Sequence, residues 1–407
     1  MKQRGPDRRK GGTDRRKGAG RRAGESGVRP VEGHPLMACP HCGYTVPIGE
    51  FCGHCGAHLA TGSTRRHHAF AAVPSEHVAH VSIVTTLFPH LPHRHGAPFR
   101  LALVAGGALV LILAALHLFA PATVVAVSVV PVLYLMYLYE VEVYESEPWL
   151  VIGATMIVGL VLGALLGIVA GGSLEHSMLT GDNVSGLGLS AIAIPIASQL
   201  LMLAGPLFLY VYRPRFGEPL DGLTFGAASA LGFTLAHSLT IYWPLISGPL
   251  IAGGSTIDWA VRLTRSGLLI SLINASTTAV VTSALWLRRY DRRRQGRPWH
   301  SGIAAALALA FGTQVFVGAI AFLLPDLIAE VAILTVLVLA LLLYVRFAIH
   351  QALLVEGAEH EIGPDSTCPE CHRVVPAMAF CPACGAARAA APKHRRPRAP
   401  LKPARST

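Results

Sequence analysis

Eight cysteines, all that the chain contains, fall into two copies of one pattern, one near each end of its 407 residues. In each copy two Cys-x-x-Cys pairs are separated by nine residues. Such pairs can place four thiolates around one tetrahedral Zn²⁺, and a four-sulfur site has no open position, so both sites are predicted to be structural. A disulfide framework is the alternative, although extracellular frameworks space their cysteines less regularly. The predicted zinc ligands are Cys39, Cys42, Cys52, Cys55, Cys368, Cys371, Cys381 and Cys384.

The two copies also match between and around their cysteines, which indicates an internal repeat. We call the segment that contains each copy a zinc ribbon. A segment of about 20 residues buries too little apolar surface to fold alone, so metal binding is expected to supply the folding free energy of each ribbon. Zinc thiolates persist in a reducing compartment, which predicts that both ends of the chain are cytoplasmic. The matching positions are Val46-Pro47 with Val375-Pro376, Phe51 with Phe380, and Gly56-Ala57 with Gly385-Ala386.

Between the two copies the sequence is typical of a membrane protein. Hydrophobic residues make up 52% of the chain and charged residues only 14%, a composition that excludes an ordinary soluble globular protein. About 20 apolar residues suffice to cross the hydrocarbon core. The predicted fold class is therefore an all-α polytopic membrane protein with two small four-cysteine zinc ribbons. The eight predicted spans are 101–120, 121–139, 149–170, 189–212, 222–243, 266–287, 301–323 and 327–347.

The formal net charge of +11 is concentrated outside this membrane block. Two basic segments, a Gly- and Arg-rich one at the start and an Ala-, Pro-, Arg- and Lys-rich one at the end, are predicted to be disordered tails that rest on anionic lipid of the bilayer. Nucleic-acid binding is an alternative for the tails, but the ribbons show no interleaving of aromatic and basic residues that would favour it. The predicted domains are tail 1–35, ribbon 1 at 36–60, His-rich linker 61–99, membrane domain 100–350, linker 351–366, ribbon 2 at 367–387 and tail 388–407.

Arginine placement tests the span count. Loops 213–221 and 288–300 contain arginines, whereas loop 171–186 contains neither Lys nor Arg, so the positive-inside rule places the first two in the cytoplasm. An even number of spans then returns ribbon 2 to the same side as ribbon 1. The exceptions to this pattern are the acidic inner loop 140–148 and the pair Arg262 and Arg265, which are predicted near the outer end of span six.

Glycines recur every fourth residue in span three, at Gly159, Gly163, Gly167 and Gly171. Small residues at this spacing let two helices approach closely in lipid. The stripe therefore predicts a helix-packing face.

Polar side chains inside the predicted spans form a candidate membrane site, because such groups are costly in hydrocarbon. None of them is an acid. On the residues alone, the preferred interpretation is that these groups hydrogen-bond one another and hold the bundle together. The candidates are Ser198, Gln199, His237, Asn274 and Gln314.

The segment from Glu218-Pro-Leu-Asp221-Gly222 to Gly232-Phe233-Thr-Leu-Ala-His237 resembles the signature of the PrsW-type intramembrane proteases, a branch of the glutamic membrane proteases related to CAAX-processing enzymes. The stretch Tyr144 to Trp149 is similar to the acidic segment that precedes the first core helix of that family. The resemblance covers roughly residues 130–325. It implies a PrsW-like membrane domain in a bacterial cell membrane, with peptidase activity in members that keep the catalytic residues.

Other residues occupy the family's catalytic positions in this chain. By the resemblance, its paired glutamates fall on Ser198 and Gln199, its next glutamate on His237 and its histidine on Asn274, while Gln314 is the nearest candidate for the last position. A general base must titrate near the working pH, and Ser, Gln and Asn do not. The prediction is a pseudoprotease that acts as a membrane-embedded binding or regulatory protein, with ribbons that bind membrane or cytoplasmic proteins. The alternative is an active intramembrane protease with an altered centre around His237.

Overall fold

The computed structural model describes most of the two ribbons and of the membrane domain, and the described residues from Pro35 onward belong to one compact unit. The predicted basic tails, most of the His-rich linker, the acidic loop 142–148 and the arginines of 213–218 and 294–299 lie outside the described residues. The described residues are 34–40, 42–59, 97–141, 149–180, 188–212, 219–248, 255–293, 300–324, 326–357, 362–368 and 371–386.

Each ribbon contains a short antiparallel hairpin. In ribbon 1, β1 (Leu36–Ala38) pairs with β2 (Thr45–Pro47), and in ribbon 2, β3 (Asp365–Thr367) pairs with β4 (Val374–Pro376). The registers are equivalent, since Leu36 lies opposite Pro47 and Asp365 lies opposite Pro376. The internal repeat is therefore a repeat of structure as well as of sequence.

The four Cys-x-x-Cys turns also share one backbone conformation. Each turn closes with a hydrogen bond to the carbonyl oxygen of its first cysteine, and the residue that donates it has a positive φ. Three of these residues are glycines, the type that adopts this conformation without strain. The four are Gly43 (φ 75), Gly56 (φ 74), His372 (φ 60) and Gly385 (φ 71).

The membrane domain consists of long helices joined by short connections. A π-helical turn at Gly188–Ala193 leads into α4, a second one at Thr264–Leu269 joins α6 to α7, and a single helical turn at Trp243–Ile246 follows α5. The helices are α1 (Ala97–Ala115), α2 (Phe119–Val141), α3 (Trp149–Thr180), α4 (Ile194–Tyr212), α5 (Pro219–Ile241), α6 (Thr256–Leu263), α7 (Ile270–Arg293), α8 (His300–Leu323) and α9 (Leu327–Gly357).

All eight predicted spans fall on these helices. Among the described residues, six helical stretches could cross a membrane by length and composition: Phe119–Leu138, Leu150–Gly171, Ala191–Tyr212, Thr256–Arg288, Gly302–Leu323 and Leu327–Ile349. The apolar part of α1, Leu101–Ala115, is shorter, and α5 is not among the six. Helix α5 carries buried polar side chains such as Thr224, Ser229 and Thr234, because it packs against protein rather than lipid. The predicted fold class, a helical membrane protein with two four-cysteine ribbons, is confirmed.

The glycine stripe of α3 packs against α5, as predicted. A Cβ added at Gly159 or Gly163 would clash with backbone carbonyl oxygens of α5, and one at Gly167 would lie 2.8 Å from Cβ of Thr240. The packing face ends after Gly167, because a Cβ added at Gly171 would meet nothing within 4 Å. On its other side α5 approaches α7 through Gly222, where an added Cβ would lie 2.8 Å from the ring of Trp286. Helix α5 is thus enclosed between α3 and α7.

Both ribbons lie at one end of the helical bundle. Phe380 of ribbon 2 packs with Leu220 at the start of α5, Leu287 near the end of α7 and Ile349 of α9. Ribbon 1 is hydrogen-bonded to ribbon 2, since the amide of Phe51 donates to the carbonyl oxygen of Pro382. This placement of the two ribbons agrees with the even number of spans that the sequence predicts.

Arg265, a predicted exception to the positive-inside rule, forms an ion pair inside the bundle. The Nε of Arg265 donates to Oε1 of Glu330 in α9 at 2.6 Å. The Glu330 side chain is buried. A buried charge is tolerated when a partner of opposite sign satisfies it, so Arg265 does not act as a free positive charge.

Candidate metal centres and membrane site

The cysteines of ribbon 1 form one compact cluster. Their four Sγ atoms lie within 4.8 Å of one another, with Cys39 and Cys55 3.9 Å apart and Cys42 and Cys52 3.8 Å apart. Metal–sulfur bonds of about 2.3 Å in tetrahedral geometry place the sulfurs about 3.8 Å apart. The cluster therefore has the size of a four-sulfur metal site.

The cysteines of ribbon 2 have the same arrangement. Cys368 and Cys384 are 3.8 Å apart and Cys371 and Cys381 are 3.9 Å apart, again with all four Sγ atoms within 4.8 Å. None of the eight cysteines forms a disulfide bond. Each cluster could hold one metal ion, and four thiolates in this geometry suit a thiophilic ion that prefers tetrahedral coordination.

The thiols within a cluster cannot all ionise by themselves. Hydrogen bonds from Cys52 and Cys55 hold the pKa of Cys42 far below its usual value, while the hydrogen bond to Cys42 raises the pKa of Cys52 to about 12. In ribbon 2, hydrogen bonds from Cys368 and Cys384 lower the pKa of Cys381 to about 3. One thiolate is thus stabilised by protonated neighbours, and full ionisation requires a cation that neutralises the added charge.

In the membrane domain, three of the predicted site residues meet in the interior. Gln199 of α4, Asn274 of α7 and Gln314 of α8 are all buried. The Nε2 of Gln314 donates to Oδ1 of Asn274 at 2.9 Å and to Oε1 of Gln199 at 3.1 Å. One amide group therefore links the two others.

Threonines of α5 and α7 complete this arrangement. Nδ2 of Asn274 donates to Oγ1 of Thr234 at 2.8 Å, and Nε2 of Gln199 lies 3.3 Å from Oγ1 of Thr278. Oγ1 of Thr277 donates to Oε1 of Gln199 at 3.2 Å. Six residues form what we term the amide network: Gln199, Thr234, Asn274, Thr277, Thr278 and Gln314. Among the described residues, the oxygen and nitrogen of each amide side chain have hydrogen-bond partners except for the Gln314 oxygen.

The sequence reasoning missed the three threonines. A signal for two of them exists, because Thr277 and Thr278 follow Asn274 by three and four residues and so share its face of the helix. Threonine is common in membrane helices, where its hydroxyl usually bonds to its own backbone. Thr277 does so as well, with Ile273 O at 2.9 Å.

The other two predicted site residues stay outside the amide network. The ring of His237 stacks on that of Phe233 at a centroid distance of 5.5 Å, and its buried Nε2 has no hydrogen-bond partner among the residues that the structure describes. Ser198 is buried beside Gln199, yet no hydrogen bond joins it to the network in the part of the chain that the structure describes. The structure thus brings together three of the five candidates.

Carboxylates are absent from the amide network. Among the described residues, only two acidic side chains are buried, Asp221 and Glu330. Glu330 is paired with Arg265, and Asp221 lies in the first turn of α5. Thirteen residues of helix separate Asp221 from Thr234, a distance of about 20 Å at 1.5 Å per residue. Asp221 therefore lies far from the network, and Glu330 is already engaged by Arg265.

A cavity of about 400 Å³ lies at the end of α5 that is remote from the ribbons. Its lining includes Thr123 of α2, Tyr242 after α5, and Asp258, Trp259 and Arg262 of α6. The amide network contributes none of the lining residues.

Comparison with known proteins agrees with this architecture. The sequence model of the PrsW family intramembrane metalloproteases matches residues 147–346, from the start of α3 into α9. No curated protein and no solved structure matches the chain. The matched range contains the whole amide network, and the two ribbons lie outside it. The chain is therefore a membrane protein that is similar to the PrsW family over residues 147–346 and carries a four-cysteine ribbon on either side of that range.

Proposed function

We propose that this protein is a pseudoprotease: a membrane-embedded binding or regulatory protein that has the PrsW-type membrane domain but does not hydrolyse peptides. Its site residues are those of the amide network together with Ser198 and His237, and its eight cysteines hold two structural Zn²⁺ ions. The observation that carries the proposal is the mutual hydrogen bonding of Gln199, Asn274 and Gln314.

Amide side chains cannot replace a catalytic carboxylate. A general base must accept a proton from water, and an amide does not do so at physiological pH. The donors and acceptors that could have polarised a peptide carbonyl are directed at one another. Such an arrangement stabilises the contact of α4, α7 and α8 and leaves no activated group for chemistry.

Zinc is the metal that best suits the two clusters. It takes four thiolates in tetrahedral geometry, and the spacing of 3.8 to 3.9 Å between paired sulfurs fits its bond length. Four protein ligands leave no position for a water molecule, so the ions stabilise the ribbons and take no part in hydrolysis.

The ribbons are proposed to face the cytoplasm of a bacterial cell. Leu287, which packs on ribbon 2, directly precedes a run of arginines that begins at Arg288 in the last turns of α7 and continues into the connection to α8. The positive-inside rule places such a connection in the cytoplasm. Protein partners are expected on the outward faces of the ribbons, where Tyr44, Ile48 and Val374 are exposed.

His237 supports an alternative, an active protease with an altered centre. Its Nε2 is buried without a hydrogen-bond partner, which leaves it able to accept a proton from a bound water. The distinguishing test uses the full chain reconstituted in liposomes with a panel of single-span membrane substrates. We expect no cleavage. Cleavage that persists in His117→Ala, a histidine of the α1–α2 turn, and disappears in His237→Ala would establish the alternative.

A further inference from the structure

The two ribbons bind each other through reciprocal backbone hydrogen bonds. The amide of Phe51 donates to the carbonyl oxygen of Pro382 at 2.9 Å, and the amide of Phe380 donates to that of Gly53 at 2.8 Å. Phe51 corresponds to Phe380 in the internal repeat, and Gly53 corresponds to Pro382. One bond is therefore the counterpart of the other under an approximate two-fold axis.

Side-chain packing in the ribbon pair follows the same symmetry. A Cβ added at Gly49 would lie 2.6 Å from the carbonyl oxygen of Pro382, and one at Gly53 would clash with Met378. Gly49 corresponds to Met378 just as Gly53 corresponds to Pro382. Such an isologous contact is the usual geometry of a symmetric dimer, formed here by two segments of one chain.

Among the described residues, only ribbon 2 packs on the membrane domain through this phenylalanine. Phe380 is 1% exposed and packs with Leu220, Leu287, Ile349 and Ala352. Its counterpart Phe51 is half-buried and contacts His58 within ribbon 1, with ring centroids 4.8 Å apart. Ribbon 1 therefore packs on ribbon 2, and ribbon 2 packs against the ends of three helices.

We propose that the ribbon pair is a metal-dependent clamp on the membrane domain. With both metal ions bound, ribbon 2 holds the start of α5 and the ends of α7 and α9 together. Removal of metal unfolds the ribbons and releases these three helix ends. Metal binding at the two ribbons thus controls whether these helix ends of the membrane domain are held together. This proposal does not depend on whether the membrane domain hydrolyses peptides.

Two physical features make the clamp depend on metal. The ribbons are too small to bury a core of their own, so their folding requires the ion. The apolar cluster of ribbon 1 includes Met378 of ribbon 2, which is 5% exposed, so each ribbon contributes to burying the other. Loss of either ion therefore weakens the packing of Phe380 against the helices.

Hydrogen exchange of the full-length protein in lipid nanodiscs tests the clamp, with bound zinc measured in the same samples. We expect chelation of wild-type protein to accelerate exchange at 219–224, 284–290 and 345–352 by on the order of tenfold or more, with no change in α5 near its far end. Phe380→Ala should accelerate exchange in the same three segments while both ions stay bound. The matched control is Phe51→Ala, the equivalent residue of ribbon 1, which should leave the three segments unchanged.

Two results would overturn the clamp. One is unchanged exchange at the three helix ends after chelation has removed both ions from wild-type protein. The other is equal acceleration in Phe380→Ala and Phe51→Ala with both ions bound, because the attachment would then not run through Phe380. Chelation of the wild type decides the matter even if Phe380→Ala does not fold.

Discussion

Two buried polar assemblies, the cysteine clusters of the ribbons and the amide network of the membrane domain, differ in whether they need a ligand from outside the protein. The thiols of each ribbon are alike, and when all four ionise they present only negative charge to one another. The amide network contains both donors and acceptors, and Gln314 lies between Gln199 and Asn274 as a donor to both. The first assembly is complete only with a cation, whereas in the described structure the second finds partners within the protein for every amide oxygen and nitrogen but the Gln314 oxygen.

This difference shows how the chemical groups of a buried polar cluster indicate whether the cluster binds a ligand. Groups of one kind in close contact repel or remain protonated until a partner of opposite character binds. Groups of alternating character satisfy one another and close the site. By this criterion each ribbon could hold a cation, while the amide network is a structural link between helices.

The largest predicted effect is on the metal sites. Cys381→Ser removes one of four thiolate ligands, and structural zinc sites contribute about 10 to 16 kcal/mol of apparent binding free energy in small ribbons. We expect bound zinc to fall from two ions per chain to one or fewer, measured by elemental analysis of the purified protein.

The control for this change lies in the same ribbon. Val374→Ala alters an exposed side chain of β4 and should retain both ions. If Cys381→Ser also retains two ions per chain, ribbon 2 does not hold metal through the predicted cysteines.

A smaller effect is expected in the amide network. Gln314→Leu removes the donor that serves both Oδ1 of Asn274 and Oε1 of Gln199. Interhelical hydrogen bonds in membrane proteins contribute about 0.6 kcal/mol each on average, so the loss should amount to about 1 to 2 kcal/mol. Thermal unfolding in detergent would show this as a lower midpoint.

Thr313→Val provides the comparison for Gln314→Leu. Thr313 precedes Gln314 on α8, is also buried, and makes no hydrogen bond to the network in the described structure. It should change stability less than Gln314→Leu does. Equal losses in the two variants would mean that packing of α8, rather than hydrogen bonding, stabilises this region.

The metal clusters could be predicted from the sequence because their geometry is local. Two Cys-x-x-Cys turns and a spacing of nine residues bring four sulfurs together without help from the rest of the chain. The pairing of the ribbons could not be predicted in this way. It depends on backbone groups of Phe51, Gly53, Phe380 and Pro382, and a backbone amide or carbonyl has no signature in the sequence.

The membrane site was predictable only in part. Polarity inside a span marked Gln199, Asn274 and Gln314 as candidates, and the structure joins them. The same criterion also marked His237, because polarity does not report which neighbour a side chain meets. His237 lies one turn beyond Thr234 on α5, yet its ring stacks on Phe233 and remains outside the hydrogen bonds of the network.

The smallest predicted effect is at His237, and it separates a packing residue from a member of the polar assembly. The buried Nε2 makes no hydrogen bond, so His237→Leu, a change of similar volume, removes no interaction of this atom and leaves no partner unsatisfied. We expect the free energy of unfolding to change by no more than about 0.5 kcal/mol. The measurement is thermal unfolding beside Gln314→Leu in the same detergent. A loss for His237→Leu as large as that for Gln314→Leu would show that the imidazole belongs to the polar assembly, and the contrast drawn between His237 and the amide network would then be wrong.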